Sequence, residues 1–137
     1  MLASNGIPLK DALTEFDHFV GDAILAAHNA FFDMHMLEQS YVKARLQLKK
    51  RTILDTLKIS RKVNEEAKFH SLSKLAKKYK VSLKNAHRAD DDAKATAEIL
   101  IHMMNQLKDE EITTTSMLEN YKNHLNYSIE FPNEITI

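Results

Sequence analysis

The sequence predicts an α/β fold with a parallel sheet, and three observations carry that expectation. Short apolar runs alternate with amphipathic stretches in the order strand, helix, strand, helix. Only two glycines and two prolines occur among 137 residues, which favours long regular elements over tight turns. Hydrophobic residues make up 44% and charged residues 28%, the balance of a chain that buries a core. A chain of this length is expected to form one domain.

Residues 8–20 read as an amphipathic helix: Leu9, Leu13, Phe16 and Val20 recur at helical spacing, and Pro8 suits the first turn. The run from Ala23 to Ala27 is nearly uncharged and too short for an independent helix. It reads as a buried parallel strand that gives way to polar His28 and Asn29. A helix is expected from about Ala30 to Leu46, with Met34, Leu37, Tyr41 and Ala44 on one stripe. Thr52 to Leu54 form a second short strand ending at Asp55 and Thr56, where Asp55 is placed to cap the next helix.

Ser71 to Tyr79 make a small amphipathic helix with Leu72, Leu75 and Ala76 inward. Ala89 to Leu107 make the longest helix, with Ala93, Ala97, Leu100, Met104 and Leu107 at helical spacing. After Lys108 the stretch DEEITTTS reads as a linker, MLENYKNHL as a short helix and NYSIEFPNEITI as the opening of a strand. The expected division is a partial domain over residues 1–108, followed at 109–137 by linker, short helix and the start of a further segment. Two strands are few for a parallel sheet buried on both faces, so the architecture is expected to be incomplete at its N-terminal edge.

Lysine plus arginine and aspartate plus glutamate number 19 each, so the chain has no overall positive field. That argues against a passive DNA binder held by charge, though not against a nuclease whose bound cations bring positive charge to the phosphate. Lys43, Arg45, Lys49, Lys50 and Arg51 form one basic cluster, and Lys74, Lys77, Lys78 and Lys80 another. Most of these are expected to be solvated helix faces. The absence of cysteine excludes disulfides and thiolate metal sites and is compatible with a reducing cytosol. No apolar run approaches the ~20 residues of a membrane helix, and no secretory signal opens the chain.

Two constellations carry chemistry. In Ala27-His28-Asn29-Ala30-Phe31-Phe32-Asp33, polar side chains gather where a strand ends and a helix begins, the place where open α/β sheets put their sites. The plainer alternative is that Asn29 caps the helix and Asp33 complements its dipole. In His87-Arg88-Ala89-Asp90-Asp91-Asp92, three carboxylates open a helix. Asp92 has Thr96, Ile99 and Met103 at i+4, i+7 and i+11 and is expected to border the buried face, while Asp90 and Asp91 are expected in solvent. A carboxylate beside an apolar stripe is costly unless a cation or donor compensates it. His87, in the loop just before, completes a base-and-ligand pair. Other candidates read more simply. His28, Asp33 and His35 lack a zinc spacing, Met34, Met36, Met103 and Met104 read as core filler, Phe32 as core, and Asp55 as a cap rather than a ligand.

AHNAFFD followed by HRADDDAKATAEIL resembles the second and third motifs of the DnaQ-like (DEDDh) 3′–5′ exonucleases. His87, Ala89 and Asp92 match the His-x-Ala-x-x-Asp of the third motif, and ILDTL and HSLSKLAKKYKV stand between the two motifs in the family's order. The resemblance runs from about residue 8 to residue 107, and within the family is greatest to the exonuclease insert of PolC-type DNA polymerase III. It implies a ribonuclease H-like exonuclease fold, incomplete at its N-terminal strands, and two-metal hydrolysis of a phosphodiester. By the resemblance, Asp33 and Asp92 are two of four carboxylates holding two Mg²⁺ or Mn²⁺ ions, a ligand type that suits hard cations. His87 is then the general base, with an unperturbed pKa of ~6.5 suited to the task. His28 and Asn29 lie beside the terminal nucleotide.

The implied substrate is a single-stranded DNA 3′ end, the implied partner the remainder of a longer polymerase polypeptide, and the expected compartment the cytoplasm. The family's first motif, Asp-x-Glu, does not occur within residues 1–32. The chain is therefore expected to be a fragment, inactive alone. Two alternatives stand beside proofreading: a catalytically dead nucleic-acid-binding or interaction module on the same scaffold, and an RNA exonuclease of the oligoribonuclease type. The joint presence of Asp33, His87 and Asp92 favours an enzyme, and the PolC-like flanks favour DNA.

Overall fold

The structure, a computed structural model, describes residues 6–85, 88–122 and 136. In chain order it contains α1 (Leu9–Val20), β1 (Leu25–Ala27), α2 (Ala30–Ala44), β2 (Ile53–Asp55), α3 (Thr56–Val63), α4 (Leu72–Tyr79), α5 (Ala89–Asp109) and α6 (Thr115–Asn120). The chain divides into two compact units. One comprises Met1–Ile24 and Phe31–Arg51, the other Leu25–Ala30 and Thr52–Ile137. Among the described residues no helix is long and apolar enough to cross a membrane.

In the first unit, Leu13 and Val20 of α1 and Tyr41 of α2 are buried as their helical spacing predicts. α1 stops at Gly21, whose φ of +54° is open to a residue without Cβ, and its N–H donates to Asp17 O at 2.9 Å. Tyr41 donates its hydroxyl to Asp17 Oδ1 at 2.6 Å. Burial first, and then the bond to Asp17, push the Tyr41 phenol up to about 12. Arg51 departs from the solvated role expected of its cluster. Its side chain is 5% exposed, with Nη2 donating to Gly21 O at 3.2 Å and Nη1 lying 3.5 Å from Asp17 Oδ1. The guanidinium thus sits at the carbonyl end of α1, where the helix dipole favours a cation. Lys43, Arg45, Lys49 and Lys50 are exposed, as expected.

In the second unit, β1 and β2 pair in parallel, Leu25 opposite Ile53, Ala26 opposite Leu54 and Ala27 opposite Asp55. The expected parallel pairing is present, but β1 is not the buried strand expected: Leu25 and Ala27 are half-buried and Ala26 is exposed. α5 packs on α3 and α4 and touches β1. Leu54, Ile59, Leu75, Ala76, Val81, Ala95, Ile99, Leu100, Met103, Leu107 and Leu118 form one core. Ser71 caps α4 by accepting from Lys74 N at 3.3 Å, and Lys80, in the left-handed region at φ +56°, closes it.

Two helical expectations need correction. Ala93 and Ala97 are exposed, whereas Leu100 and Leu107 are buried. The inward face of α5 instead runs through Ala95, Thr96, Ile99, Leu100, Met103 and Leu107, because the larger apolar side chains outweigh the alanines in deciding which face is buried. The short helix near the C-terminus starts earlier than MLENYKNHL suggests. Thr114 caps it by accepting from Met117 N at 3.3 Å, and it ends at Asn120. Of the strand expected over NYSIEFPNEITI, only Thr136 lies within the described residues, and it makes an isolated antiparallel bridge to Thr114.

α3 buries polar side chains as well as apolar ones. Thr56, Ser60 and Asn64, spaced four apart, are exposed by 1% or less. Asn64 Nδ2 donates to Ser60 Oγ at 3.2 Å and to Tyr79 OH at 2.9 Å, and Tyr79 OH also donates to Gln106 Oε1. Lys62 is buried too, its ammonium donating to Leu118 O at 2.9 Å and Glu119 O at 2.7 Å. Burial pushes its pKa down. The lysine ties the last turn of α6 to α3, adding a charged donor to Leu118 O, which also accepts from Tyr121 N at 3.2 Å, and to Glu119 O.

Candidate active site

The turn between β1 and α2 is His28-Asn29, with Asn29 in the left-handed region at φ +65°. Few residues other than glycine adopt that conformation, and asparagine is among the more tolerant. What holds it is Asp55, 7% exposed at the end of β2. Asp55 Oδ1 accepts from Asn29 N at 3.0 Å and Oδ2 accepts from Ala30 N at 3.0 Å. Oδ1 also accepts from Leu57 N at 2.9 Å, the expected cap of α3. One carboxylate therefore serves the first amides of two helices, which suits a negative charge at their N-termini.

Thr56, fully buried, donates its hydroxyl to Ala27 O at 3.3 Å and meets His28 Nδ1 at 2.9 Å. His28 is half-buried, and burial pushes its pKa down, partly opposed by the His70 backbone carbonyl and the charge of Asp55. His70 pairs through Nδ1 with Ser60 Oγ at 2.7 Å, and burial lowers its pKa as well. Both rings thus favour the neutral form.

Asp33 lies on the first turn of α2 and is exposed, in the first unit. Its neighbours form an aromatic ledge. Phe31 and Phe32 are 73% and 65% exposed, and their rings meet edge-on at 6.0 Å between centroids. Phe31 also stacks on His35 at 6.2 Å with 2° between planes. Phe32 is therefore not core, and neither is Met36, at 68% exposed. Helical geometry gives the reason. At about 100° per residue, Phe32 lies almost opposite the stripe of Met34, Leu37 and Tyr41 that the helix turns inward.

Asp92, in the second unit, is half-buried on the first turn of α5, with Thr96, Ile99 and Met103 below it fully or nearly buried, so it borders the apolar face as its spacing suggests. Thr96 Oγ1 donates to Asp92 O at 2.7 Å. Asp90 is exposed and pairs with Arg88 at 3.4 Å, whereas Asp91 is half-buried rather than solvated. His87 lies outside the described residues. Among the described residues, no three histidine, aspartate or glutamate side chains are grouped so as to hold a metal ion. Asp33 and Asp92 offer the hard oxygen donors that Mg²⁺ or Mn²⁺ prefers, two carboxylates where the resemblance implies four.

Sequence reasoning missed the grip of Asp55 and Thr56 on the His28–Asn29 turn. The sequence carries no local signal for it, because only the parallel register, with Ala27 opposite Asp55, sets the residues leaving β2 beside the turn that leaves β1.

Comparison with known proteins gives one family. The exonuclease family described as RNase_T matches residues 4–100. The chain is 45% identical over 101 residues to "DNA polymerase III PolC-type" of Staphylococcus aureus, and equally to the proteins of that name from strains MW2 and USA300. The match takes in 74% of this chain and 7% of each relative, so the chain spans a small part of the curated proteins it resembles. No solved structure gives a significant match. With the family matched over most of its length and its small parallel sheet flanked by helices, the chain belongs to the DnaQ-like exonucleases, ribonuclease H-like in superfamily and related to PolC.

Proposed function

We propose that this chain is part of a 3′–5′ proofreading exonuclease belonging to a replicative DNA polymerase, acting on single-stranded DNA 3′ ends. The observation that carries the reading is the family match across residues 4–100, which spans both the Asn29–Asp33 and the His87–Asp92 segments. Residues 1–108 form the exonuclease portion, and 109–137 lead into the next segment of a longer polypeptide.

In this reading Asp33 and Asp92 bind divalent cations, Mg²⁺ or Mn²⁺, through their carboxylates. When bound, such ions stabilise negative charge at the phosphate. Asp33 supplies an oxygen ligand with little desolvation cost, because it is exposed at a helix N-terminus. Asp92, bordering an apolar face, gains more from a cation partner. His87 takes the proton of the attacking water. His28 and Asn29 flank the terminal nucleotide, His28 as a neutral ring whose Nδ1 is already engaged by Thr56.

The chain alone is inactive, because residues 1–32 contain no Asp-x-Glu to complete the ligand set. The test is hydrolysis of a 3′-labelled single strand with Mn²⁺. Activity is expected to be near zero for these 137 residues and to appear in a longer chain that carries an Asp-x-Glu strand upstream. Activity of that longer chain surviving Asp92→Asn or His87→Ala would remove the assigned roles. A longer chain that binds the strand without cutting it would instead favour a non-catalytic module.

A further inference from the structure

We propose that Asp55 is a positioning residue for the candidate site, and that its carboxylate, aided by Thr56, sets the conformation of the His28–Asn29 turn and the point where α2 begins. The proposal rests on the exonuclease reading for its functional meaning, because that reading places His28, Asn29 and Asp33 at the substrate. Asp55 takes no part in the reaction itself; it acts through the backbone amides of Asn29 and Ala30 that it holds.

The geometry separates this role from ordinary capping. A cap for α3 needs only the bond from Leu57 N, yet Asp55 also accepts from Asn29 N and Ala30 N, 26 and 25 residues earlier in the chain. Those two amides flank the one strained residue of the turn, Asn29 at φ +65°. A left-handed non-glycine residue persists when its surroundings over-determine it, and two charge-assisted bonds on adjacent amides do so here. Thr56 adds a third attachment at Ala27 O and a fourth at His28 Nδ1, so every residue from Ala27 to Ala30 is tied to the Asp55-Thr56 dipeptide. Ala30 is also the first residue of α2, so the bond to its amide fixes where the helix that carries Asp33 starts.

The substitution Asp55→Asn tests this sharply. Asn retains one acceptor oxygen, so the bonds from Leu57 N and Asn29 N survive, whereas the second oxygen becomes an NH₂ that faces Ala30 N–H donor to donor. Flipping the amide would restore one bond and sacrifice two. Amide hydrogen exchange is measured on this chain, wild type and variant, and titration by Mg²⁺ plus thymidine 5′-monophosphate on the longer chain that carries an Asp-x-Glu strand upstream, with and without the same substitution. Expected is a loss of protection of about tenfold or more at Ala30, a smaller change at Asn29, whose acceptor is kept, and no change at Ile99 and Met103 in the core. Nucleotide-dependent perturbation of the Asn29 and Ala30 resonances is expected to weaken in parallel, and the His28 imidazole shifts are expected to be kept by Thr56→Ser and altered by Thr56→Val.

Unchanged exchange at Ala30, or an equal loss at Ile99 and Met103, overturns the proposal, since the carboxylate then contributes nothing local. If Asp55→Asn fails to fold, the wild type decides: Asn29 and Ala30 amides exchanging at the free-chain rate would also overturn it, and protected amides would support it. A longer chain with an Asp-x-Glu strand upstream that shows no response to Mg²⁺ and the nucleotide counts against the exonuclease reading, while the exchange data still judge the positioning role.

Discussion

Lys62→Met is the perturbation from which the packing logic is most exposed. Lys62 is 1% exposed, and its ammonium donates to Leu118 O and Glu119 O at 2.9 and 2.7 Å, joining α3 to the end of α6. Bonds from a charged donor contribute about 1.5–3 kcal/mol each, but burial of the charge subtracts from that sum, as the lowered pKa of the lysine records. Methionine keeps most of the stem and its packing. Where both partners of a buried ion pair are replaced, an apolar substitute is often neutral or better. Here the acceptors are backbone carbonyls that stay in place: Leu118 O keeps the Tyr121 amide at 3.2 Å, and both it and Glu119 O lose the ammonium. The expected loss is therefore about 1–3 kcal/mol, which for a chain of this size lowers Tm by roughly 3–12 °C. The assay is thermal and urea unfolding by circular dichroism, combined with amide exchange. Leu118 and Tyr121 amides are expected to lose protection by more than those of α5. A variant as stable as the wild type, or one whose loss is spread evenly over the core, would refute the claim that this lysine fastens α6.

Three further outcomes follow from the same structure. Met103→Ala, at a position with no exposure in the core of the second unit, is expected to cost about 2–5 kcal/mol in urea unfolding, and a loss under 1 kcal/mol would contradict the packing described. His28 and His70 have folded pKa values pushed below the ordinary histidine value by burial, so the unfolded chain takes up protons first as acid is added. Stability is thus expected to be at its full value above pH ~6.5 and to fall below it, and Tm measured from pH 7.5 to 5 should drop less in a His70→Gln variant. Tyr41 runs the other way: its pKa is raised to about 12, so the stability linked to its proton is present below pH ~10 and lost as pH climbs toward 12. Burial also pushes the Tyr79 and Tyr121 phenols up, so absorbance titration should show a late component that shrinks by one phenolate in Tyr41→Phe; an undiminished late component there would refute the assignment.

Much of the fold was legible because the chain is strongly periodic. Leu13, Val20 and Tyr41 fall inward where their spacing puts them, and Ser71 and Asp55 cap helices as their side-chain chemistry invites. Periodicity misled where small residues competed with large ones, as Ala93 and Ala97 did with Ile99 and Met103. It also fails to say that an aromatic residue is buried, and Phe32, off the inward stripe of α2, is exposed for that reason. In the candidate site, residue types were readable but attachments were not. Asp55 looks like one more helix cap until the parallel register sets it beside Asn29 and Ala30. The buried ladder of Thr56, Ser60 and Asn64 was equally hidden, since polar residues four apart on a short helix resemble a solvent face. Each is satisfied by a partner distant in sequence, such as His70 or Tyr79, which no local pattern reveals.

The way the backbone is shared between the two units bears on how the protein can be dissected. The chain passes from one unit to the other at Ile24/Leu25, at Ala30/Phe31 and at Arg51/Thr52. No single protease cut can release either unit whole. Trimming the chain to begin at Thr52 would keep nearly all of the larger unit's residues yet discard its inserted hexapeptide, stripping β2 of its neighbour and leaving water in place of the Asn29 and Ala30 amides at the Asp55 carboxylate. Minimal versions of this protein are better sought by deleting loops than by shortening the N-terminal end.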